Sequence, residues 1–185
     1  KGCWVWDDTG KAYLDLVAGI AVVNLGHCHP EVVRALKYQA GQLFHCSNLF
    51  CIPAQETLAE LLVENSFSGK VFFCNSGAEA NEGAIKLIRR ACNANGKRGS
   101  TIITFKGSFH GRTLATVAAT GQDKFKLGYD PIPEGFKSVA YGDIAAIEEA
   151  IDKSVGAVML EPIQGESGIN APPPGFLHKV RTLCD

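Results

Sequence analysis

One segment of the chain has the residue types of a helix start that could bind an anion. Residues 74–82, which include Ser76, Gly77, Ala78 and Glu79, directly follow an apolar run at 71–73. The run predicts a short buried strand, and the spacing of Ser76 and Glu79 is that of a capping box, so a helix should begin here. Gly77 and Ala78 carry almost no side chain, so a phosphate could reach the free N–H groups of the first turn. The alternative is an ordinary strand–turn–helix corner.

Two further segments carry side chains suited to a planar, charged ligand. Phe109 follows a strand-like stretch and offers a flat face for stacking on a ring, and Arg112 offers a planar fork for a carboxylate. A continuous apolar run at 155–160 ends in two carboxylates, Glu161 and Glu166. Ligands of open α/β sheets bind beyond the carboxyl ends of parallel strands. All three segments therefore place chemical groups at the same kind of position.

The pattern along the chain predicts strands that alternate with helices. Residues 3–17 alternate around turn residues and read as a β-hairpin, whereas 121–135 is rich in turn residues and reads as irregular. Strands are predicted at 101–104 and 155–160, and helices at 30–43, from Pro53 onward, and at 77–94, 143–153 and 175–184. This alternation favours the α/β class, with a mostly parallel sheet covered on both faces.

The composition is that of a globular protein. The chain has 185 residues, of which 46% are hydrophobic and 20% charged, enough for one domain and part of another. A formal net charge of −1 gives no reason to expect nucleic acid or an anionic membrane as a partner. The longest apolar stretch, near residues 16–23, is too short to span a bilayer.

The cysteines and histidines favour packed thiols over a metal site. The seven cysteines are odd in number and include no Cys-x-x-Cys pair, which indicates a reduced, cytosolic type of environment. Neighbouring residues suggest a zinc hypothesis, but they are adjacent in sequence and lack the spacing of finger ligands. The residues concerned are His27, Cys28, His29, His45, Cys46 and Cys51. We therefore predict no metal.

The three segments resemble the class III aminotransferases, which use pyridoxal phosphate and have the type I fold. The resemblance is carried by residues 72–82, 109–113 and 161–166, and residues 19–27 and 47–50 support it. It extends over nearly the whole chain, in the family's order and spacing. Within this class the chain looks most like the acetylornithine aminotransferases.

The resemblance implies an α/β fold of the type I transferases, with a mostly parallel sheet and helices on both faces, incomplete in this chain. It implies that residues 1–45 form an N-terminal segment, a hairpin plus a helix. Residues 46–185 would form part of the large cofactor-binding domain. Asn48 and Phe50 would contribute to the pocket across the interface of a homodimer.

The resemblance also assigns roles to individual side chains. The cofactor would be held by Ser76, Gly77, Ala78, Phe109 and Glu161. Substrate would be bound by Arg112, through its carboxylate, and by Glu166, which in related enzymes pairs with a downstream arginine. Phe109 could instead be a core residue and Arg112 a structural salt bridge, while His110 could be a donor behind the site or a packed side chain. Because a buried unpaired carboxylate is costly, Glu161 or Glu166 should have a raised pKa or be exposed.

The family binds its cofactor covalently through a lysine and contacts the pyridine nitrogen through an aspartate, both downstream of residues 161–166. The chain ends at Asp185 before either of them, so we expect an internal segment of a longer enzyme, with no catalytic residue of its own and inactive alone. The longer enzyme would be cytoplasmic and would move an amino group from N-acetylornithine to 2-oxoglutarate in arginine biosynthesis. The alternatives are an ornithine, succinylornithine or 4-aminobutyrate aminotransferase, or a non-catalytic module for dimerisation or phosphate binding.

Overall fold

A computed structural model describes residues 1–96 and 99–185 of the chain. These residues form two compact units, Lys1–Val71 and Phe72–Asp185. The boundary after residue 45, which the family resemblance implies, stays a prediction.

The first unit opens with the predicted hairpin. Strands β1 (Trp4–Trp6) and β2 (Ala12–Leu14) pair antiparallel, with Trp4 opposite Leu14. The turn is fixed by one carboxylate, because Asp7 Oδ1 accepts hydrogen bonds from the Thr9 N–H at 3.0 Å, the Thr9 hydroxyl at 2.7 Å and the Lys11 N–H at 3.0 Å. A short polar side chain that bonds the backbone just ahead of it is a common way to close a tight turn.

A short element with left-handed backbone follows the hairpin. In α1 (Ala18–Ala21) the backbone φ angles are 49° at Ala18, 64° at Gly19, 61° at Ile20 and 59° at Ala21. Only glycine adopts this region without steric cost, so the three other residues are strained. The element begins at the side chain of Asp15, whose Oδ1 accepts the Val17 and Ala18 N–H groups at 3.0 and 2.9 Å. No sequence pattern predicted this element.

Two helices complete the first unit, α2 (Pro30–Ala40) and α3 (Pro53–Glu64). Each has proline in its first turn, where the missing N–H would have no helical partner. Both predicted helices are confirmed, although α2 ends at Ala40, three residues before the predicted residue 43, with Gly41 as its C-cap.

The second unit is built on a parallel sheet of three strands. Strand β3 (Thr101–Phe105) is central, between β4 (Phe136–Val139) and β5 (Val155–Val158). Both pairings are parallel, so the carboxyl ends of all three strands lie at one edge of the sheet. The buried core beside this sheet contains Ile103, Phe105, Ile147, Phe176 and Val180. The predicted parallel α/β architecture is confirmed.

Four helices accompany the sheet: α4 (Gly77–Ala94), α5 (Leu114–Ala119), α6 (Ile144–Ala150) and α7 (Phe176–Cys184). Helix α4 has the predicted bounds, while α6 is four residues shorter than the predicted 143–153. Helix α5 and strand β4 were not predicted. The region predicted as irregular, 121–135, contains one short 3₁₀ helix, Asp123–Phe125.

The prediction of a buried strand at 71–73 is wrong. These residues take part in no sheet ladder with any described segment, and the Phe72 side chain is 73% exposed. A strand exists only where a neighbour accepts and donates its hydrogen bonds, and an apolar run cannot supply that neighbour.

Candidate functional site

The first turn of α4 is capped as its sequence predicts. The Ser76 backbone is extended, and its Oγ accepts a hydrogen bond from the Glu79 N–H at 3.1 Å. The Glu79 carboxylate accepts the N–H of Asn75 at 2.6 Å, one residue before the position of the standard capping box. No described residue accepts a hydrogen bond from the N–H groups of Gly77 and Ala78. The helix therefore presents two free donors at its positive end.

The space beside Gly77 is open. A Cβ added at Gly77 would meet no heavy atom of the described chain within 4 Å. The Ser76 oxygen accepts an N–H, which leaves the hydroxyl proton free to donate. Two N–H groups and one O–H group at the start of an 18-residue helix match the donors that a phosphate requires.

The loop that carries Phe109 and Arg112 lies directly against this turn. At Gly111, where φ is +136°, an added Cβ would lie 2.9 Å from the Ala78 Cβ and 2.7 Å from Thr116 Oγ1. Only glycine permits this close approach. The amide of Asn81, one turn further along α4, donates to the His110 carbonyl at 2.7 Å. The structure thus brings the first two sequence motifs together.

A second link from α4 fixes the far end of the loop. The Thr113 hydroxyl donates to Glu82 Oε1 at 2.5 Å, and Thr113 also caps α5 in a reciprocal pair with Thr116. Sequence reasoning assigned no role to Asn81, Glu82 or Thr113. All three lie inside the motifs that carry the family resemblance, which is the signal that could have found them.

The third motif reaches the same loop through Glu161. The Phe109 N–H donates to Glu161 Oε2 at 3.1 Å, which joins the carboxyl end of β5 to the loop. The Tyr141 hydroxyl donates to the Glu161 carbonyl oxygen at 2.8 Å. Partial burial raises the pKa of Glu161, the Phe109 N–H opposes this, and the charge of Glu166 adds to the rise. Glu166 itself is exposed, so both expected outcomes occur, one at each carboxylate.

Arg112 and Phe109 belong to an aromatic cluster that the sequence reasoning missed. The rings of Phe109 and Phe125 meet edge to face, with centroids 5.8 Å apart and an interplanar angle of 75°. The guanidinium carbon of Arg112 lies 4.5 Å from the Phe125 centroid and 5.4 Å from that of Phe109. Within the described part of the chain no carboxylate lies within 4.0 Å of Arg112. The alternative that Arg112 is a structural salt bridge therefore has no support among these residues.

His110 is packed inside the unit. The residue is 4% exposed, and burial lowers the pKa of its imidazole to about 4. Its N–H donates to Thr120 Oγ1 at 3.0 Å, while its buried Nε2 has no hydrogen-bond partner among the described residues. Of the two sequence-based alternatives for His110, the structure favours the packed side chain.

Comparison with known proteins agrees with this arrangement. The profile of the family described as aminotransferase class-III matches residues 1–185. The chain belongs to the class III aminotransferases. Pyridoxal phosphate is the cofactor of this family, and the open donors of α4 and the flat face of Phe109 fit its phosphate and its ring.

Several individual class III proteins are similar to the chain. The acetylornithine aminotransferase of Caldanaerobacter subterraneus is 56% identical over 187 residues, covering 100% of this chain and 47% of that protein. The acetylornithine aminotransferase of Xanthomonas axonopodis is 54% identical over 189 residues and is covered to 46%. The chain therefore spans about half the length of the curated relatives it matches.

Solved structures of the same fold are also similar. The ornithine aminotransferase of Toxoplasma gondii matches with a TM-score of 0.94 at 34% identity, covering 100% of this chain and 44% of that one. The N-acetylornithine aminotransferase of Stenotrophomonas maltophilia matches with a TM-score of 0.84 at 44% identity, covering 100% and 46%. The type I fold predicted from the resemblance is confirmed.

The histidines and cysteines considered as zinc ligands do not form a cluster among the described residues. His27 Nε2 lies 2.6 Å from Asp15 Oδ2, and all seven cysteines are free. Across residues 1–96 and 99–185 no group of three or more histidine, cysteine or acidic side chains is arranged to hold a metal ion. None of the described helices is long and apolar enough to cross a membrane.

Proposed function

We propose that this chain is part of an aminotransferase that moves the amino group of N-acetylornithine to 2-oxoglutarate with pyridoxal phosphate, in arginine biosynthesis. The proposal concerns a protein of the relatives' length that contains these residues. It is carried by one observation: the free N–H groups of α4, the Phe109–Arg112 loop and Glu161 converge at one edge of the sheet. Three ligand-binding groups from distant parts of the sequence meet there.

The phosphate of the cofactor would be bound at the start of α4. The N–H groups of Gly77 and Ala78 have no acceptor among the described residues, a Cβ at Gly77 would meet nothing within 4 Å, and the helix dipole favours an anion there. When bound, pyridoxal phosphate supplies an electron sink, and the protein has to hold and orient it. This role for Ser76, Gly77 and Ala78 remains a proposal.

The ring of the cofactor would stack on Phe109. Glu161 would act on the cofactor side of the site by fixing the Phe109 backbone through the 3.1 Å hydrogen bond. Partial burial raises the pKa of Glu161 above its ordinary value, while the hydrogen bond from the Phe109 N–H opposes this rise.

The substrate carboxylate would be bound by Arg112. Its guanidinium is exposed and has no carboxylate partner in the part of the chain that the structure describes, so its donors are available. Glu166, also exposed, would be the carboxylate that pairs with an arginine downstream of this chain and controls the binding of the second substrate. The role of Glu166 rests on the family resemblance.

The amino donor is proposed from the relatives. Curated proteins that are 50–56% identical to this chain are named acetylornithine aminotransferases, while the ornithine aminotransferase structure is 34% identical. The second choice is a sibling enzyme acting on ornithine, succinylornithine or 4-aminobutyrate. A non-catalytic module for dimerisation or phosphate binding is the third.

A homodimer is proposed from the exposed apolar surface of the first unit. Large apolar side chains that would normally be buried are exposed there, among them Leu16, Ile20, Phe44, Leu49 and Phe50. Asn48 lies beside Phe50 in sequence and would enter the pocket of the partner. The division into residues 1–45 and 46–185, and a cytoplasmic location, are part of the same proposal.

The deciding experiment compares amino donors on a purified protein that contains these residues and is as long as the relatives. N-acetylornithine, ornithine, N-succinylornithine and 4-aminobutyrate would each be offered with 2-oxoglutarate, and glutamate formation would be measured. We expect the highest kcat/KM with N-acetylornithine. A higher kcat/KM with another donor would make that donor the substrate in place of N-acetylornithine. If no donor yields glutamate, the non-catalytic module is the hypothesis that remains.

A further inference from the structure

We propose that Phe125 is a positioning residue that holds Arg112 in place for a carboxylate and steadies the stacking face of Phe109. This inference rests on the proposed function, since it concerns how the substrate carboxylate is bound. It goes further by naming a residue from the irregular region at 121–135, which no motif of the sequence covers.

Phe125 contacts the side chains of both Phe109 and Arg112. Phe125 is the last residue of the 3₁₀ helix Asp123–Phe125, and its ring meets that of Phe109 edge to face at 5.8 Å. The guanidinium carbon of Arg112 is closer to the Phe125 centroid, at 4.5 Å, than to the Phe109 centroid, at 5.4 Å. Arg112 therefore has its nearer aromatic partner outside its own loop.

This mode of support suits a residue that has to bind a ligand. A salt bridge would hold Arg112 by its N–H groups and would occupy the donors that a carboxylate needs. An aromatic ring holds the guanidinium by its face through a cation–π interaction and leaves its charge intact. Arg112 donates no hydrogen bond to any described residue, so its fork remains free while the side chain is held.

A second cation reinforces the same place. Lys124 Nζ lies 4.7 Å from the Phe125 centroid, so one ring carries two positive side chains. Their combined charge favours an approaching anion over a neutral or cationic amine. Loss of the ring would release Arg112 into several rotamers and would weaken carboxylate binding more than amine binding.

The test compares Phe125→Leu with Phe125→Tyr in a protein that is as long as the relatives and is loaded with cofactor. The readout is the ratio of kcat/KM for the α-amino acid donor to that for a simple amine without a carboxylate. We expect Phe125→Leu to lower this ratio about 2- to 5-fold, the range of a lost cation–π contact at an exposed site, through a higher KM for the α-amino acid donor. Phe125→Tyr keeps a ring and should stay within about twofold of the parent, as in a rescue by a conservative change.

A second readout does not depend on turnover. The visible circular dichroism of the bound cofactor reports how its ring is held, and Phe125→Leu should change it while Phe125→Tyr should not. Phe136→Leu is the matched control, because the Phe136 ring also lies under an arginine, Arg89, at 5.8 Å, but at the start of β4. It should affect stability alone. If Phe125→Leu fails to fold, Phe125→Met supplies an unbranched side chain without a ring face.

A double variant separates this inference from the proposed function. In an Arg112→Gln background, Phe125→Leu should change the ratio no further, because the side chain it positions is gone. Equal losses for both donors from Phe125→Leu, or effects that multiply in the double variant, would refute the positioning role and leave the proposed function standing. An unchanged ratio in Arg112→Gln alone would refute the substrate role of Arg112 and this inference with it, while the comparison of amino donors tests the proposed aminotransferase activity separately.

Discussion

Replacing Gly77 by aspartate should have opposite effects on two quantities: it should weaken phosphate binding but should not destabilise the helix. Gly77 is the first residue of α4, and a Cβ there meets nothing within 4 Å, so an aspartate side chain has room. A negative charge in the first turn stabilises a helix by about 0.3–1 kcal/mol, and loss of glycine adds to this. In the absence of pyridoxal phosphate, the free energy of unfolding of Gly77→Asp should therefore be equal to that of the parent or slightly higher.

Cofactor binding should change in the opposite direction. The aspartate would lie beside the donors of Gly77 and Ala78, where a phosphate of like charge has to sit. Two unit charges about 4 Å apart repel by about 1 kcal/mol in water and by about 4 kcal/mol near a protein surface. The affinity for pyridoxal phosphate should accordingly fall between about fivefold and about a thousandfold.

The assay is chemical unfolding of the full-length protein with and without pyridoxal phosphate, together with a direct titration of the cofactor. Gly77→Asn is the matched control, because asparagine has the size of aspartate without its charge. Asparagine should keep most of the affinity that aspartate loses. Equal affinity of Gly77→Asp and the parent would show that the start of α4 is a plain corner, and equal losses for both variants would show that shape, and not charge, is what the turn provides.

Three further predictions concern single residues. Arg112→Lys keeps the charge but loses the bidentate fork, so kcat/KM for N-acetylornithine should fall by about 1.5–3 kcal/mol in transition-state binding, while the cofactor spectrum and the turnover of simple amines stay unchanged. Gly121→Ala would put a Cβ 1.9 Å from a carbonyl oxygen of β3, so the midpoint of thermal unfolding should fall steeply. Gly165→Ala, where a Cβ meets nothing within 4 Å, should leave that midpoint within a few degrees of the parent. Equal midpoints for the two variants would contradict the packing. Burial lowers the pKa of His110 to about 4, so the unfolded chain binds the extra proton at a higher pH than the folded chain does. The free energy of unfolding should therefore fall by about 3 kcal/mol as the pH is lowered from about 6.5 to about 4. In urea titrations at a series of pH values, His110→Gln should flatten this dependence, whereas His178→Gln, at an exposed residue, should not.

The parts of the fold that were predictable are those specified by neighbours in sequence. Helix α4 has the predicted bounds because Ser76 and Glu79 fix its start through hydrogen bonds that span three or four residues. The hairpin at Asp7 was predictable for the same reason, since one side chain bonds the backbone just ahead of it. Capping and turn chemistry is local, and a local pattern is visible without knowledge of the fold.

The errors occur where structure depends on distant partners. The apolar run at 71–73 has the composition of a strand but no described partner strand. Strand β4 has only four residues, two of them polar, and is a strand because β3 pairs with it. Helix α5 has six residues and was too short to show a period. The left-handed element α1 contains one glycine in four residues and is held by Asp15, so its own sequence does not indicate it.

The same distinction applies within the site. Residues whose chemistry is intrinsic, such as the fork of Arg112 or the small side chain of Gly77, could be proposed from the sequence because their residue types alone suggest a role. Residues that act through others could not: Glu161 reaches Phe109 across 52 positions, and Asn81 reaches the His110 carbonyl across 29. Phe125 is the extreme case, because nothing in its own segment distinguishes it from any aromatic residue in a loop. A motif therefore suggests which groups could touch a ligand, whereas the residues that contact those groups from distant parts of the chain become visible only when the chain is folded.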